Sequence, residues 1–352
     1  MQYSWSWAVW PVLTSIVGYI LVMQSSYGEI IIKNNEKLES AVFYLHLVPI
    51  SVLDLCGSIL VCLRYRTTVT NYHRRSWLET LMSCSLMQFG GTTLTGWLLG
   101  QTPSWIISHN AFPALVLAWW LTFYCPGDVY HKVMSSQWAK IAILPIVTLL
   151  SAVSAGHAVT SWGLDKALNN TFHTNAPRIA QSALTCIFAG TLSASGGGIL
   201  ADCLSLLHLE PSLTYTWRQP SLLRASLDGD LASRAITKSF FLATLYYMLR
   251  LPAGTEVWKV LYNITPSVMG LGLDGPSARA VVAILQLQSV AVTMVVGEDP
   301  QYTTLSRIIR RAVLLGGDGE EHGLESVAHT RHTSENKAPA THTERTTRRT
   351  KK

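Results

Sequence analysis

Two glycine clusters lie inside long apolar stretches: Phe89-Gly90-Gly91-Thr92-Thr93-Leu94 and Ser195-Gly196-Gly197-Gly198-Ile199-Leu200. Consecutive glycines remove side chains and loosen a helix, so backbone carbonyls can face a water-filled cavity at membrane depth. The same residues also let two helices approach closely. The two readings differ in outcome: Gly91→Val or Gly197→Val alters conductance more than expression if the clusters line a pore, and merely abolishes folding if they pack helices. Three ionisable residues, Asp54, Asp202 and Lys238, interrupt apolar runs. Charge inside a membrane is costly and by default marks a pathway or a paired site. A Lys238–carboxylate pair facing a pore would tune cation access; the bland alternative is an ion pair locking two helices. Asp202, four residues after Gly198, can also sit near a helix end in solvent. Gly90, Gly91, Gly196, Gly197, Gly198, Asp54, Lys238 and Asp202 are therefore the candidate ion pathway.

Covalent chemistry has no comparable support. The chain lacks GxSxG, HExxH and paired carboxylates on one helical face, so no catalytic residue is assigned. Its six cysteines form no CxxC pair and lie mostly in apolar runs; they read as small core residues, with no metal site. His46 and His157 read as hydrogen-bonded core histidines. Glu79 suits the first turn of a helix, Asp128 follows Pro126-Gly127 as a turn residue and second-rank candidate, and Pro49, Pro113 and Pro145 are expected to kink helices.

The elements that must position these residues follow from composition. Of 352 residues, 49% are hydrophobic and 14% charged, against roughly 25% charged in an ordinary globular chain. From Glu298 onward the chain holds 10 Lys/Arg and 8 Asp/Glu, leaving 30 of the 48 charged residues for positions 1–297. Such a body cannot cover itself with a charged skin, which excludes a soluble α/β enzyme, a disordered chain and a small disulfide scaffold. The net charge of +6 comes without a basic patch interleaved with aromatics, so no nucleic-acid partner is expected.

A spanning helix needs about 20 mostly apolar residues. Stretches 5–23, 41–63, 77–99, 105–124, 141–159, 179–207, 231–249 and 280–296 qualify, with Trp77, Trp105, Trp119, Trp120, Trp138 and Trp162 near their ends. The first is read as a retained extra helix in preference to a cleaved signal. Basic loops put 64–76 and 125–140 in the cytoplasm, and 160–178 and 250–279 on the other side. The sequons at Asn169 and Asn263 then face a glycosylating compartment, although Arg250, Lys259 and Arg279 break the charge rule there. Each glycine cluster falls in the middle helix of a three-helix unit. Three crossings is an odd number, so the second unit runs inverted, a pattern that points to a midplane site. The expected fold is an all-α membrane protein with seven transmembrane helices, two inverted repeats (41–130 and 135–250) plus a seventh (280–296), after an N-terminal segment 1–40. The body spans 41–297. In the tail, 298–352, residues 300–315 read as a basic amphipathic helix, followed by a disordered stretch.

These residues resemble the trimeric intracellular cation (TRIC) channel family. Ser76-Trp77, Phe89-Gly90-Gly91 and Phe123-Tyr124-Cys125-Pro126-Gly127-Asp128-Val129-Tyr130 are similar to its second and third helices. Pro49, Asp54 and Arg66 fit the first helix, Gly156-His157-Ala158 the end of the fourth, Gly196-Gly197-Gly198 the fifth, and Lys238 the sixth, across about residues 41–296. The resemblance implies a homotrimer with one pore per protomer in endoplasmic or sarcoplasmic reticulum, or nuclear envelope, membrane. It further implies potassium flux that offsets charge during calcium release, and a phosphoinositide lipid bound beside the pore. The family's Lys-Glu-Val and nearby Arg on helix four are missing, 141–150 being wholly apolar. The Arg before the helix-five glycines is replaced in Ser193-Ala194. Lys132 and Lys140 are the candidate lipid contacts in their stead. An inverted-repeat secondary transporter and a non-conducting scaffold are the alternative functions.

Overall fold

The computed structural model describes residues 27–69, 72–169, 182–204, 206–207, 231–250 and 273–296. The N-terminal helix expected at 5–23, the sequon at Asn263 and the tail 298–352 lie outside the described residues. The described chain is mostly helical, and the all-α expectation needs one correction, a two-stranded hairpin.

Helix α1, Gly28–Glu39, carries Glu29 in its first turn and Lys37 in its last, each opposing the partial charge of its helix end. Ser40 stops it by donating its hydroxyl to the carbonyls of Glu36 and Lys37. Strands β1, Val42–Leu45, and β2, Val48–Ser51, then pair antiparallel with Val42 opposite Ser51 and Leu45 opposite Val48. This overturns the single span expected over 41–63. Valine, isoleucine, phenylalanine and tyrosine favour a pleated surface, and Pro49 has no N–H to give a helix. Pro49 therefore sits in a strand and kinks nothing. His46, expected in a core, is exposed at the hairpin tip with φ 58°.

Helix α2, Val52–Thr68, starts where Ser51 Oγ accepts from the Asp54 amide at 3.3 Å. Helix α3, Trp77–Leu99, has the same device: Ser76 Oγ accepts from Glu79 N at 3.1 Å, and Gly100 closes the helix at φ 64°. The stretch 105–124 is two pieces, α4, Ser104–Ile107, and α5, Ala111–Phe123. The break falls ahead of Pro113, which occupies the first turn of α5, where a missing N–H costs nothing. A short helix α6, Val129–Ser135, follows the turn Pro126–Asp128.

The run Ala139–Leu168 comprises a π-helical turn, Ala139–Ile143, then α7, Leu144–Val159, a second π turn, Thr160–Leu164, and α8, Asp165–Leu168. Pro145 lies at the start of α7, just after the first π turn, and tolerates that position because the ladder is already interrupted. Helices α9, Ala183–Cys203, α10, Leu231–Arg250, and α11, Gly275–Val296, complete the fold. By length and composition Ala139–Leu168, Ala183–Cys203 and Gly275–Met294 are able to cross a membrane.

Helix α3 packs along α9, α9 along α10, and α2 against α5 and α7; α11 covers α7. One buried core gathers Ala189, Leu242, Tyr246, Val282 and Leu285 around α9–α11. Another gathers Cys62, Tyr65, Cys84, Leu115 and Trp119 around α2, α3 and α5. All six cysteines are free thiols, and five of them are buried.

Candidate functional site: a polar cavity beside a glycine crossing

The two glycine clusters meet. A Cβ on Gly90 would stand 2.7 Å from Leu200 Cδ1 and 3.2 Å from Gly197 Cα, and one on Gly196 2.7 Å from Gly91 Cα. A Cβ on Gly91 would strike the Ser193 carbonyl, and one on Gly197 the Met87 carbonyl. Backbone touches backbone here, the contact that small residues allow between membrane helices. Both helices run unbroken through their clusters, so the local loosening expected of consecutive glycines does not occur. Gly198 differs. It is exposed, a Cβ there meets nothing within 4 Å, and it lines a cavity.

That cavity, about 530 Å³, lies between α2, α3, α7 and α9. On α2 its wall is Asp54, Gly57, Val61 and Arg64, on α3 Gln88 and Thr92. Helix α7 supplies Ser151, Ser154, Ala155 and His157, and α9 supplies Ser193, Ala194 and Gly198. Asp54 to Arg64 is ten residues, about 15 Å of helix, half the thickness of a bilayer core. Hydroxyls, an amide and short side chains share this wall with Leu53, Leu60, Met87 and Phe89, with acids near the start of α2 and a base toward its end. Glu39 and Ser40 reach the acidic end, where Asp54 is buried at 7% exposure.

Glu39 is held there. Its Oε2 stands 3.3 Å from Arg279 Nη1 and 3.5 Å from His157 Nδ1, and Arg279 also donates to Ser161 Oγ at 3.4 Å. This cluster ties α1 to α7 and α11. His157 is buried as expected, but neither ring nitrogen has a hydrogen-bond partner among the described residues. Nearby in sequence, Asp165 accepts from the Tyr246 hydroxyl at 2.9 and 3.0 Å, with Arg250 Nη2 at 3.6 Å.

At the other end of α2, Arg66 is buried and pairs with Asp128 at 2.6 Å, donates to the Thr122 carbonyl, and lies over the Tyr72 ring at 4.9 Å. Arg66 holds the Asp128 carboxyl below the usual carboxylate range, chiefly through this hydrogen bond. Asp128 is thus both the turn residue expected and an ion-pair partner that was not. Burial and Arg66 together push the His131 imidazole below its ordinary value.

The remaining sequence candidates lie apart. Lys238 Nζ donates to Ser289 Oγ at 2.8 Å, joining α10 to α11, and Asp202 occupies the last turn of α9. Among the described residues neither lines the cavity. Lys132 Nζ donates to the Gly127 carbonyl at 3.0 Å, Lys140 is exposed on the first π turn, and Asn169 is exposed at the end of α8. Of the candidates, then, Asp54 and Gly198 share the cavity. Gln88, Thr92, Ser151 and Ser154 were missed, although 54, 57, 61 and 64 on α2 and 151, 154, 155 and 158 on α7 fall on single helical faces.

These features define a helical, multi-pass membrane protein with a partly polar cavity beside a glycine crossing. Residues 66–216 match the family model described as TRIC channel. "Trimeric intracellular cation channel type A" of Xenopus laevis is 31% identical over 83 residues, 23% of this chain and 28% of that protein. "Trimeric intracellular cation channel type B" of Danio rerio is 24% identical over 133 residues, 38% of this chain and 40% of that protein. The matched region thus spans 28% of the first of these relatives. A solved trimeric intracellular cation channel from C. elegans with bound Ca2+ shares the fold at TM-score 0.51 and 17% identity, covering 77% of this chain and all of that one. Over residues 66–216 the chain is thus similar to TRIC channels, and it shares the fold of a solved one.

Proposed function

We propose that the protein is a monovalent cation channel, conducting chiefly potassium through the cavity between α2, α3, α7 and α9. The observation that carries this reading is the cavity itself, lined by both polar and apolar side chains over about 15 Å of helix and marked by buried Asp54 at one end. A carboxylate at a pore mouth concentrates cations, and hydroxyls and amides replace part of their hydration shell. In this reading Asp54 and Gly198 belong to the ion path, while Gly90, Gly91, Gly196 and Gly197 hold its two central helices together. Lys238 and Asp202 act from outside it.

The chain would act as a homotrimer with one pore per protomer, in endoplasmic or sarcoplasmic reticulum or nuclear-envelope membrane, supplying counter-ion current during calcium release. The relatives' names support the trimer and the intracellular membrane. The crossing of α3 with α9 supports two inverted repeats, α2–α3–α5 and α7–α9–α10, with α11 as the seventh helix. Lys132 and Lys140 would meet the phosphate groups of a phosphoinositide, and Asn169 and Asn263 would be glycosylated. Purified protein in planar bilayers under a potassium gradient tests the function. Unitary currents reversing at the potassium equilibrium potential support the channel. Saturable flux without unitary steps makes it a transporter, and silence a scaffold.

A further inference from the structure

The α2–α3 wall of the cavity contains an unusual contact. Gly57 has no side chain, and the Gln88 carboxamide fills the vacant place: a Cβ on Gly57 would stand 2.9 Å from Nε2, 3.4 Å from Oε1 and 3.6 Å from Cδ. All three amide atoms therefore crowd the place a Gly57 side chain would take, and both residues line the cavity. Gly57 is three residues beyond Asp54, about 4.5 Å further along the helix. A cation that passes the carboxylate meets the carboxamide next. The walls opposite bring short side chains to the same space, Ser154 and Ala155 from α7 and Ser193 and Ala194 from α9.

We infer that Gln88, parked in the notch left by Gly57, sets the throughput of the ion path; this rests on the channel reading above. Parked, the carboxamide leaves the lumen open. Any side chain at position 57 must displace the carboxamide, because a Cβ at 2.9 Å from its nitrogen is inside contact distance. The evicted carboxamide has the lumen to swing into. Gly57 and Gln88 therefore act as one device, and neither substitution should be interpretable alone.

The test is unitary potassium conductance of the full chain in planar bilayers for wild type, Gly57→Ala, Gln88→Ala and the double substitution. Gly57→Ala should lower conductance about two-fold or more by crowding the lumen, and Gln88→Ala should not lower it. The double substitution should return conductance to wild type or above, since no carboxamide remains to be displaced. Equal conductance for Gly57→Ala and the double substitution overturns the proposal. Should Gly57→Ala fail to fold, Gln88→Trp decides it: a side chain too large for the notch should lower conductance, and an unchanged conductance overturns the proposal. A silent wild type removes the channel reading and this proposal with it. A conducting wild type with four equal conductances removes the proposal alone.

Discussion

Arg66 and Asp128 are 62 residues apart in the chain and joined at 2.6 Å in the fold. The guanidinium is nearly enclosed, 7% exposed, while the carboxylate is 42% exposed. Arg66 thereby fastens the last turn of α2 to the carbonyl of Thr122 and to the turn that follows α5. Asp128 adopts φ 57° in that turn, directly after Gly127 at φ 68°, a conformation that aspartate tolerates better than most residues.

The asymmetry of exposure predicts an asymmetry of cost. Asp128→Ala leaves a buried guanidinium short of its charge partner, whereas Arg66→Met leaves a carboxylate that water can solvate. Removing one partner of a fully buried pair costs roughly 3–5 kcal/mol. Discounting for the exposed carboxylate, Asp128→Ala should cost about 1–2 kcal/mol, read as a lowered Tm of the detergent-solubilised protein. The ion pair also sets a pH dependence. A carboxyl lowered by folding stabilises above its unfolded value, near pH 4, and that stability is lost as pH falls through the depressed folded value. Wild type should therefore lose more Tm than Asp128→Asn on acidification below about pH 4.

The glycine crossing predicts a division between neighbours. Gly91→Val and Gly197→Val place atoms on opposing backbone and should abolish monodisperse expression. The packing outcome is thus expected in preference to a conductance change. Gly198→Ala meets nothing within 4 Å, gains helix propensity of about 0.5–1 kcal/mol, and should express normally. Size-exclusion profiles of the three variants check the division.

Charge is unequal along the cavity, with Asp54 at one end, where Glu39 is paired to Arg279, and Arg64 at the other. Cations should load more readily from the acidic end, so potassium current should rectify at low salt. Asp54→Asn should reduce conductance most strongly at low ionic strength, where screening is weak. Arg64→Gln should make the current–voltage relation more linear, which single-channel recordings in symmetric potassium would register.

Helix α1 is tethered at its end by Glu39 to Arg279. Both side chains are about a quarter exposed, so the tether is worth about 1 kcal/mol. Arg279→Met should speed hydrogen exchange of the α1 amides about five-fold, with the amides of α9 unchanged as the internal control.

Much of this fold can be read from the residues themselves. Long apolar runs locate α3, α9 and α11, and Ser76 with Glu79 marks the start of α3 to the residue. Hydropathy averaging misleads over 41–51, where β-branched and aromatic residues are as apolar as a helix but Pro49 and the turn at His46 make a hairpin. Asp54 and Gly198 are legible because charge and glycine are conspicuous in an apolar context. Gln88 and Ser154 are not, since one polar residue on a face disappears into a window mean. The Arg66–Asp128 pair depends on where two helix ends meet, which no local pattern carries.

Passage of ions through the cavity between α2, α3, α7 and α9 can be tested at its wall. Ser154→Cys puts a thiol on its wall, while five of the six native cysteines are buried. Unitary potassium currents of this variant should be recorded before and after a cationic methanethiosulfonate, with wild type as control. Stepwise loss of current is expected in the variant and none in wild type. Undiminished current in the variant, with its labelling verified by mass, would contradict passage through the cavity.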